Sequence, residues 1–197
     1  MSAKICMIWA VCSGDKDDKH DSTTELDTHA NTAVVGRQET VFHTGRTSEM
    51  RAFSDEVYKI ESVPIVDDAP LYDCSKTLKK YLLILKNALH IPSIQHNLIP
   101  PFIMIGDSLE VNDVPRIHIQ DEVTREIHSI ILPKVYLRIL LCCSAVFSCF
   151  ESQYLTDKEI EECETMDMVL VNPDSNVWYL CFNSYAKQEE NFLNFRG

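Results

Sequence analysis

The chain has 197 residues, of which 45% are hydrophobic and 24% charged, so it is long enough for a globular domain with a buried core and too apolar to be disordered. Its formal charge of −12 at pH 7 disfavours direct nucleic-acid binding, because a phosphate backbone attracts clustered Lys and Arg side chains. The longest apolar run, Ile139 to Phe150, has twelve residues, whereas a membrane-spanning helix needs about 18. We therefore expect neither a nucleic acid nor a membrane among the partners.

The cysteine pattern indicates a reducing compartment. The eight cysteines include no Cys-x-x-Cys pair, and none is followed by a His at the spacing of zinc ligands. The apolar segment from Ile5 to Cys12 is short for a secretory signal. We therefore expect reduced, mostly buried thiols in a cytoplasmic protein. The sequence suggests no metal and no organic cofactor.

A candidate acid follows a polar N-terminal segment. Residues 13–23 are polar and charged without an apolar anchor, so residues 1–23 are expected to be a flexible lead-in. A short strand is predicted from Thr24 to Asp27. Where the chain turns after it, the Thr28 hydroxyl is well placed to hydrogen-bond the turn and fix the direction of the Asp27 carboxylate. An aspartic peptidase needs an acid held in this way, but many ordinary turns contain the same residues.

Most later segments are typical of β-strands, because Val, Ile and aromatic residues recur in them. Residues 44–47 are expected to form a turn between two short strands, and residues 73–77 the tip of a hairpin. Residues 82–85 are apolar on both faces, which predicts an interior strand. His118 and His128 occupy polar positions, and we expect both on the solvent face. The predicted later strands are 40–43, 50–53, 62–66, 71–72, 81–89, 116–120, 126–132, 135–141, 145–150 and 166–171.

Two short helices complete the expected architecture. Pro100 and Pro101 can open a helix near residues 100–109 but cannot continue a central strand. Thr156 and Glu159 have the spacing of a capping box, which predicts a helix near residues 156–164. We therefore expect an all-β domain at residues 24–155, followed by a C-terminal helix and tail at residues 156–197.

Two segments resemble the protease domain of Copia-like retrotransposons. The first is Asp27-Thr28-His29-Ala30-Asn31, with Gly36 nine positions after the acid. It is similar to the active-site segment of retropepsin-like aspartic proteases, which in these elements commonly reads acid-Ser-Gly-Ala-Ser with a glycine at the same distance. The second segment, residues 88–99, is similar to the sequence Val-Leu-Tyr-Val-Pro-x-Leu-x-x-Asn-Leu-Leu of the same domain. The two segments occur in the order that the family has.

The resemblance implies a small all-β, barrel-like acid-protease fold that is active as a two-fold homodimer. Each protomer supplies Asp27, and the two carboxylates share one proton. One acid takes a proton from the attacking water while the other protonates the scissile carbonyl, and Thr28 braces the loops across the dyad axis. His29, Ala30 and Asn31 complete the active-site loop. The implied substrate is a polypeptide, namely the polyprotein of the retrotransposon.

The sequence departs from the retropepsin pattern at three places. His29 stands where the pattern has glycine, Asn31 replaces the usual Asp or Ser, and residues 46–105 contain no glycine although retropepsin flaps are typically glycine-rich. A protonated His29 beside Asp27 favours a fully ionised pair of carboxylates and disturbs the shared proton. Two alternatives therefore stay open. One is a catalytically decayed or domesticated retropepsin-like dimerisation module, and the other is an unrelated cytosolic β-domain in which Asp27 is merely a turn acid.

Overall fold

The computed structural model describes residues 2–5, 21–28, 30–37, 41–52, 59–114, 127–144 and 147–173. In these ranges the chain is mainly β with two short α-helices, which confirms that the fold is all-β. Neither α-helix of the described part is long and apolar enough to cross a membrane. The elements are β1 Ser2–Ile5, β2 Asp21–Leu26, β3 Val34–Val35, β4 Val41–Ala52, β5 Lys59–Asp68, β6 Leu71–Cys74, β7 Lys79–His90, β8 Asn97–Ile99, α1 Pro101–Gly106, β9 Glu110–Asn112, β10 Ser129–Leu132, β11 Leu137–Leu140, β12 Cys142–Ser144, β13 Phe147–Gln153, α2 Asp157–Glu162 and β14 Asp167–Leu170.

The described strands form two sheets. The larger one has the order β1-β4-β5-β7-β3-β8-β2-β13-β12, with β6 paired to β7 and β13 and with β14 paired to β7. The smaller sheet is the antiparallel set β11-β10-β9. Apolar residues of both sheets share the largest core cluster, in which Ile130 and Leu137 of the small sheet join Leu83 and Leu85 of the large one. The two sheets therefore bury one common core.

The central element of the large sheet is β7. Its N-terminal half pairs with β6 and β14, and its C-terminal half pairs with β5 and β3. Leu82, Leu83 and Leu85 are all buried. This confirms the interior strand that the apolar run at residues 82–85 predicts, and the hairpin tip expected at residues 73–77 joins β6 to β7.

The turn predicted at residues 44–47 is wrong. β4 continues through these residues and pairs antiparallel with β5, with a register shift between His43 and Arg46. Gly45 lies within that shift at a φ of +75°, in the left-handed region that favours glycine. The Thr44 hydroxyl donates a hydrogen bond to the Ile65 carbonyl at 2.7 Å, so the irregular segment stays attached to β5. Residues that are typical of a turn here form a β-bulge.

Ordered strands extend beyond the predicted domain boundaries. β2 begins at Asp21, inside the expected lead-in, and β1 pairs parallel with β4. At the other end β14 pairs parallel with β7, and Val169 and Val171 are buried in the main core. The strand Asp167–Leu170, which follows α2, therefore belongs to the large sheet. Residues 6–20, the predicted strand at 116–120 with His118, and residues 174–197 lie outside the described ranges.

Two expectations about burial are wrong. His128 is 1% exposed instead of lying on the solvent face, and its Nε2 lies 2.8 Å from the Oγ atom of Ser148 on β13. His128, a polar residue in the strand pattern, thus has the polar partner Ser148 inside the fold.

Of the described cysteines, Cys142 and Cys143 are exposed rather than buried, because β12 lies at the edge of the described sheet.

Asp68 is a buried acid at the end of β5. Only 1% of its surface is exposed, and no side chain in the described part of the chain donates a hydrogen bond to its carboxylate. Burial raises the pKa of Asp68 from 3.8 to about 7, and the adjacent Ala69 amide offsets only part of that shift. The pKa of Asp68 is higher in the folded state than in the unfolded state. The protonated carboxyl therefore contributes its full stabilisation of the folded state below pH 3.8, and this contribution is lost as the pH rises through about 7.

We expect Asp68→Asn to remove this pH dependence. In the wild-type chain the ionisation of Asp68 lowers the free energy of unfolding between its two pKa values, by at most about 1.4 kcal/mol for each pH unit. Urea unfolding at a series of pH values measures the slope. Asp67→Asn is the matched control, because the Asp67 carboxylate accepts hydrogen bonds from Lys86 Nζ at 2.8 Å and Asn87 N–H at 3.0 Å. The control should keep the slope, and equal slopes for wild type and Asp68→Asn contradict the assignment.

The capping box predicted at α2 is confirmed. The Thr156 Oγ1 atom accepts a hydrogen bond from Glu159 N–H at 3.4 Å, and Thr156 N–H donates to Glu159 Oε2 at 3.0 Å. The second carboxylate oxygen of Glu159 pairs with Lys80 Nζ on β7, which attaches the helix to the sheet. Burial acts to raise the pKa of Glu159, but the hydrogen bonds from Lys80 and Thr156 outweigh burial and lower the pKa to about 2.

We expect Glu159→Gln to isolate the charge in this contact, because glutamine can keep the capping box. Lys80 is 42% exposed, so solvent screening limits the loss of stability at pH 7 to about 1 kcal/mol. The folded-state pKa of Glu159 is depressed, so its contribution is present above the usual value of 4.5 and is lost as the pH falls towards 2. Thermal unfolding at pH 7 and pH 2.5 measures both effects. Glu162→Gln is the control, because the side chain of Glu162 is 52% exposed. An equal loss of stability in that variant contradicts the special role of Glu159.

Candidate active site

Asp27 follows the last residue of β2 and is held by backbone contacts. β2 pairs parallel with β8, so that Leu26 lies beside Ile99. The Asp27 N–H then donates a hydrogen bond to the Ile99 carbonyl at 3.2 Å. The Asp27 residue is only 8% exposed. A carboxylic acid therefore lies at the end of a strand, largely covered, on a backbone that the neighbouring strand fixes.

The strand β8 lies between the two strands that flank the Asp27 loop. On one side it pairs parallel with β2, and on the other Leu98 pairs antiparallel with Val34 of β3. The two sequence segments that carry the family resemblance, residues 27–36 and 88–99, are thus brought together in one part of the sheet. The loop that bears the acid connects β2 to β3 across the inserted strand.

Gly36 allows the two segments to approach closely. A Cβ atom on Gly36 would lie 2.5 Å from the Ile94 carbonyl oxygen and 2.8 Å from that of His96. The Gly36 N–H donates a hydrogen bond to Asn97 Oδ1 at 3.0 Å, and the contact is buried. Only glycine fits this backbone approach, so the glycine of the first segment and the Asn of the second have a common physical role.

The apolar part of the loop packs under the β4–β5 hairpin. Ala30 is 3% exposed and belongs to a compact apolar cluster that joins the loop to the hairpin and to the segment after β7. Burial of this cluster packs the loop against the hairpin. The other buried members are Val34, Met50, Val63, Ile65, Leu89, Ile91 and Leu98, with Ile94 packed against them.

The remaining residues of the predicted site have different environments. Thr28 is exposed at the turn directly after Asp27, and Asn31 is half-buried. His29 lies outside the described residues. The structure therefore buries Asp27 and Ala30 of this loop and leaves Thr28 at the surface.

Sequence reasoning did not identify the role of Asn97 or the burial of Asp68. Asn97 is the side chain that closes the contact with Gly36, and the polar residue that precedes two apolar ones in the second segment was its signal. Asp68 is the other buried acid in the described ranges. It lies at the end of β5, where its pairing partners are Val41 of β4 and Leu85 of β7. In the described pairing Asp68 is therefore not beside the strand that carries Asp27.

A second polar cluster lacks the geometry of a serine triad. The Nε2 atom of His128 faces both Ser148 Oγ at 2.8 Å and Asp113 Oδ1 at 3.8 Å. A triad needs the acid on the other ring nitrogen, and Nδ1 of His128 is buried without a hydrogen-bond partner in the described part of the chain. Within the same ranges, no three His, Cys, Asp or Glu side chains are arranged to hold a metal ion.

Comparison with known proteins identified no relative. No protein-family model matches the chain, and neither a similar curated protein nor a similar solved structure was found.

We expect Gly36→Ala to destabilise the protein strongly, by about 3 kcal/mol or more, because two backbone carbonyls occupy the space of the new methyl group. Gly45→Ala is the matched control, since nothing lies within 4 Å of the position that its Cβ atom would take and only the φ of +75° opposes the change. The control should cost about 1–2 kcal/mol. Urea unfolding compares the two variants, and a milder effect at Gly36 than at Gly45 contradicts the close approach.

Proposed function

We propose that the chain is an aspartic endopeptidase domain that acts as a two-fold dimer, with Asp27 of each protomer activating the water. The observation that supports this most is the environment of Asp27. It is an 8% exposed acid directly after a strand, and its backbone is hydrogen-bonded to the inserted strand β8. The Gly36–Asn97 contact joins the two segments that resemble Copia-like retropepsins, which supports the same proposal.

The chemistry requires a second carboxylate. Peptide hydrolysis by this mechanism needs one acid to deprotonate the water and another to protonate the carbonyl oxygen of the scissile bond. In the described pairing Asp68 lies beside Val41 and Leu85 rather than beside β2, so we assign that role to a second protomer instead. A second copy of the chain supplies the missing acid as its own Asp27. The two carboxylates then share one proton.

The substrate that fits this proposal is a polypeptide, and the family resemblance suggests the polyprotein of a retrotransposon in the cytoplasm. Water and two carboxylates suffice for the reaction, so the mechanism uses neither a metal nor an organic cofactor. Thr28 is exposed beside the acid, where it can contact the partner's loop.

The alternative function is a dimerisation module that has kept the fold and lost the chemistry. Two features of the sequence favour it, namely His29 in place of glycine and the lack of glycine between residues 46 and 105. The hairpin β4–β5 packs on the Asp27 loop through Met50 and Val63, both of them buried apolar side chains. A hairpin held in this way suits a rigid scaffold as well as it suits a lid.

The decisive experiment measures peptide cleavage at pH 4–7 with the purified chain and with two copies joined in tandem. The tandem form guarantees that both carboxylates are present. We expect cleavage that a pepsin-type transition-state inhibitor blocks, and we expect Asp27→Asn in both copies to reduce it by about 10²–10⁴-fold or more. Asp73→Asn, which changes an exposed acid of β6, should leave cleavage unchanged. A folded tandem dimer without activity would support the dimerisation module instead.

We expect His29→Gly to increase cleavage near pH 5–6 if the enzyme is active. His29 follows Asp27 by two positions in the sequence; a positive charge there favours the fully ionised form of the carboxylates, and glycine removes that charge. The pH profile of kcat/KM measures the effect. A lower activity of His29→Gly at every pH contradicts the inhibitory role of the imidazole.

A further inference from the structure

Cys142 and Cys149 form a pair of thiols on adjacent strands. They are directly opposite each other in the antiparallel pairing of β12 with β13. Their Sγ atoms lie 3.3 Å apart, and the Cys142 thiol also contacts the Cys149 carbonyl at 3.3 Å. Opposite residues of an antiparallel pair have Cα atoms about 4.5 or 5.5 Å apart, and both values fall within the range of about 4.4–6.8 Å that disulfide bonds span. The backbone is therefore already suited to a disulfide.

The two thiols differ in access to solvent. Cys142 lies on the edge strand β12 and is exposed, whereas Cys149 is 3% exposed. Burial, followed by the hydrogen bond and the charge of Cys142, raises the pKa of Cys149 to about 12. Cys142 is thus the thiol that a small oxidant reaches first, and Cys149 is a protected thiol in contact with it.

We propose that Cys142 and Cys149 are a reversible dithiol–disulfide site that a low-molecular-weight disulfide such as oxidised glutathione converts into a cross-strand bond. The Cys142 thiolate attacks one sulfur of the glutathione disulfide, a mixed disulfide forms, and one glutathione thiolate leaves. The Cys149 thiol then loses its proton and attacks the Cys142 sulfur, which releases the second glutathione. Two protein thiols are oxidised, one glutathione disulfide is reduced to two glutathiones, and the protons pass to the two released thiolates.

The bond joins an edge strand to the strand that flanks β2. Cys149 pairs with Glu25, two residues before Asp27. Oxidation therefore attaches β12 covalently to the part of the sheet that contains the candidate acid. The proposal is independent of whether Asp27 is catalytic, because it depends on the sulfur atoms alone.

Cys143 provides a matched control within the same strand. It is exposed like Cys142, but it is opposite Ser148 rather than a cysteine. Cys143→Ser should therefore keep the disulfide, whereas Cys142→Ser should abolish it. Both substitutions change an exposed residue, so both variants are expected to fold, which circular dichroism checks.

The experiment incubates the folded full chain in mixtures of reduced and oxidised glutathione, alkylates the free thiols and maps the peptides by mass spectrometry. Trypsin leaves all three cysteines of this region in one peptide, because residues 139–157 contain no Lys or Arg. Chymotryptic cleavage after Phe147 then separates Cys142 from Cys149 unless a disulfide joins them. We expect a peptide lighter by about 2 Da with two fewer alkylated thiols, fully reversed by excess reduced glutathione.

A second probe uses phenylarsine oxide, which bridges two neighbouring thiols. We expect one arsenical to bind this region in the wild type and in Cys143→Ser, and none in Cys142→Ser.

The proposal is overturned if the folded wild-type chain forms no Cys142–Cys149 bond at any glutathione ratio, or if Cys142→Ser forms a bond through Cys143 equally well. Since both steps use a thiolate as the nucleophile, the rate of bond formation should rise between about pH 7 and pH 9, and a rate independent of pH contradicts attack by thiolates.

Discussion

The close backbone approach at Gly36 is the constraint on which the candidate site depends. Carbonyl groups of residues 94 and 96 occupy the space where any other residue would carry its side chain, and Asn97 completes the contact by accepting the Gly36 N–H. This approach allows β8 to lie between β2 and β3. The inserted strand in turn supplies the carbonyl that binds the Asp27 N–H. The position of Asp27 therefore depends on the lack of a side chain at Gly36.

The rest of the fold supports that arrangement through β7, whose two halves pair with different neighbours.

Two carboxyl groups outside the site have pKa values shifted in opposite directions. Glu159 is balanced by a lysine and a helix cap, so its ionised form is favoured. Asp68 has no such partner in the described ranges, so its neutral form is favoured. Burial dominates where no opposite charge is near, and a close ammonium group reverses the sign.

Much of this architecture is predictable from the sequence, because it depends on local chemistry. The apolar run of β7, the Pro100-Pro101 start of α1 and the capping box of α2 each define an element through their own residues. The features that could not be predicted depend on distant residues. The pairing with β5 decides that Gly45 lies in a bulge rather than a turn, and Ser148 on β13 decides that His128 lies inside. Within the site, the sequence identifies Asp27, Ala30 and Gly36, whereas the contact of Gly36 with Asn97 requires the three-dimensional structure.

The pairing of β2 with β13 has a consequence for the time at which the acid is assembled. The hydroxyl groups of Thr24 and Ser152 lie 3.4 Å apart, although 128 residues separate them in sequence. Ribosomes add about 5–20 residues per second, so roughly 6–26 seconds pass between the synthesis of these two positions. Until then β2 lacks the strand β13 on one edge. Translation itself therefore delays completion of the sheet around the candidate acid until residue 152 has been synthesised.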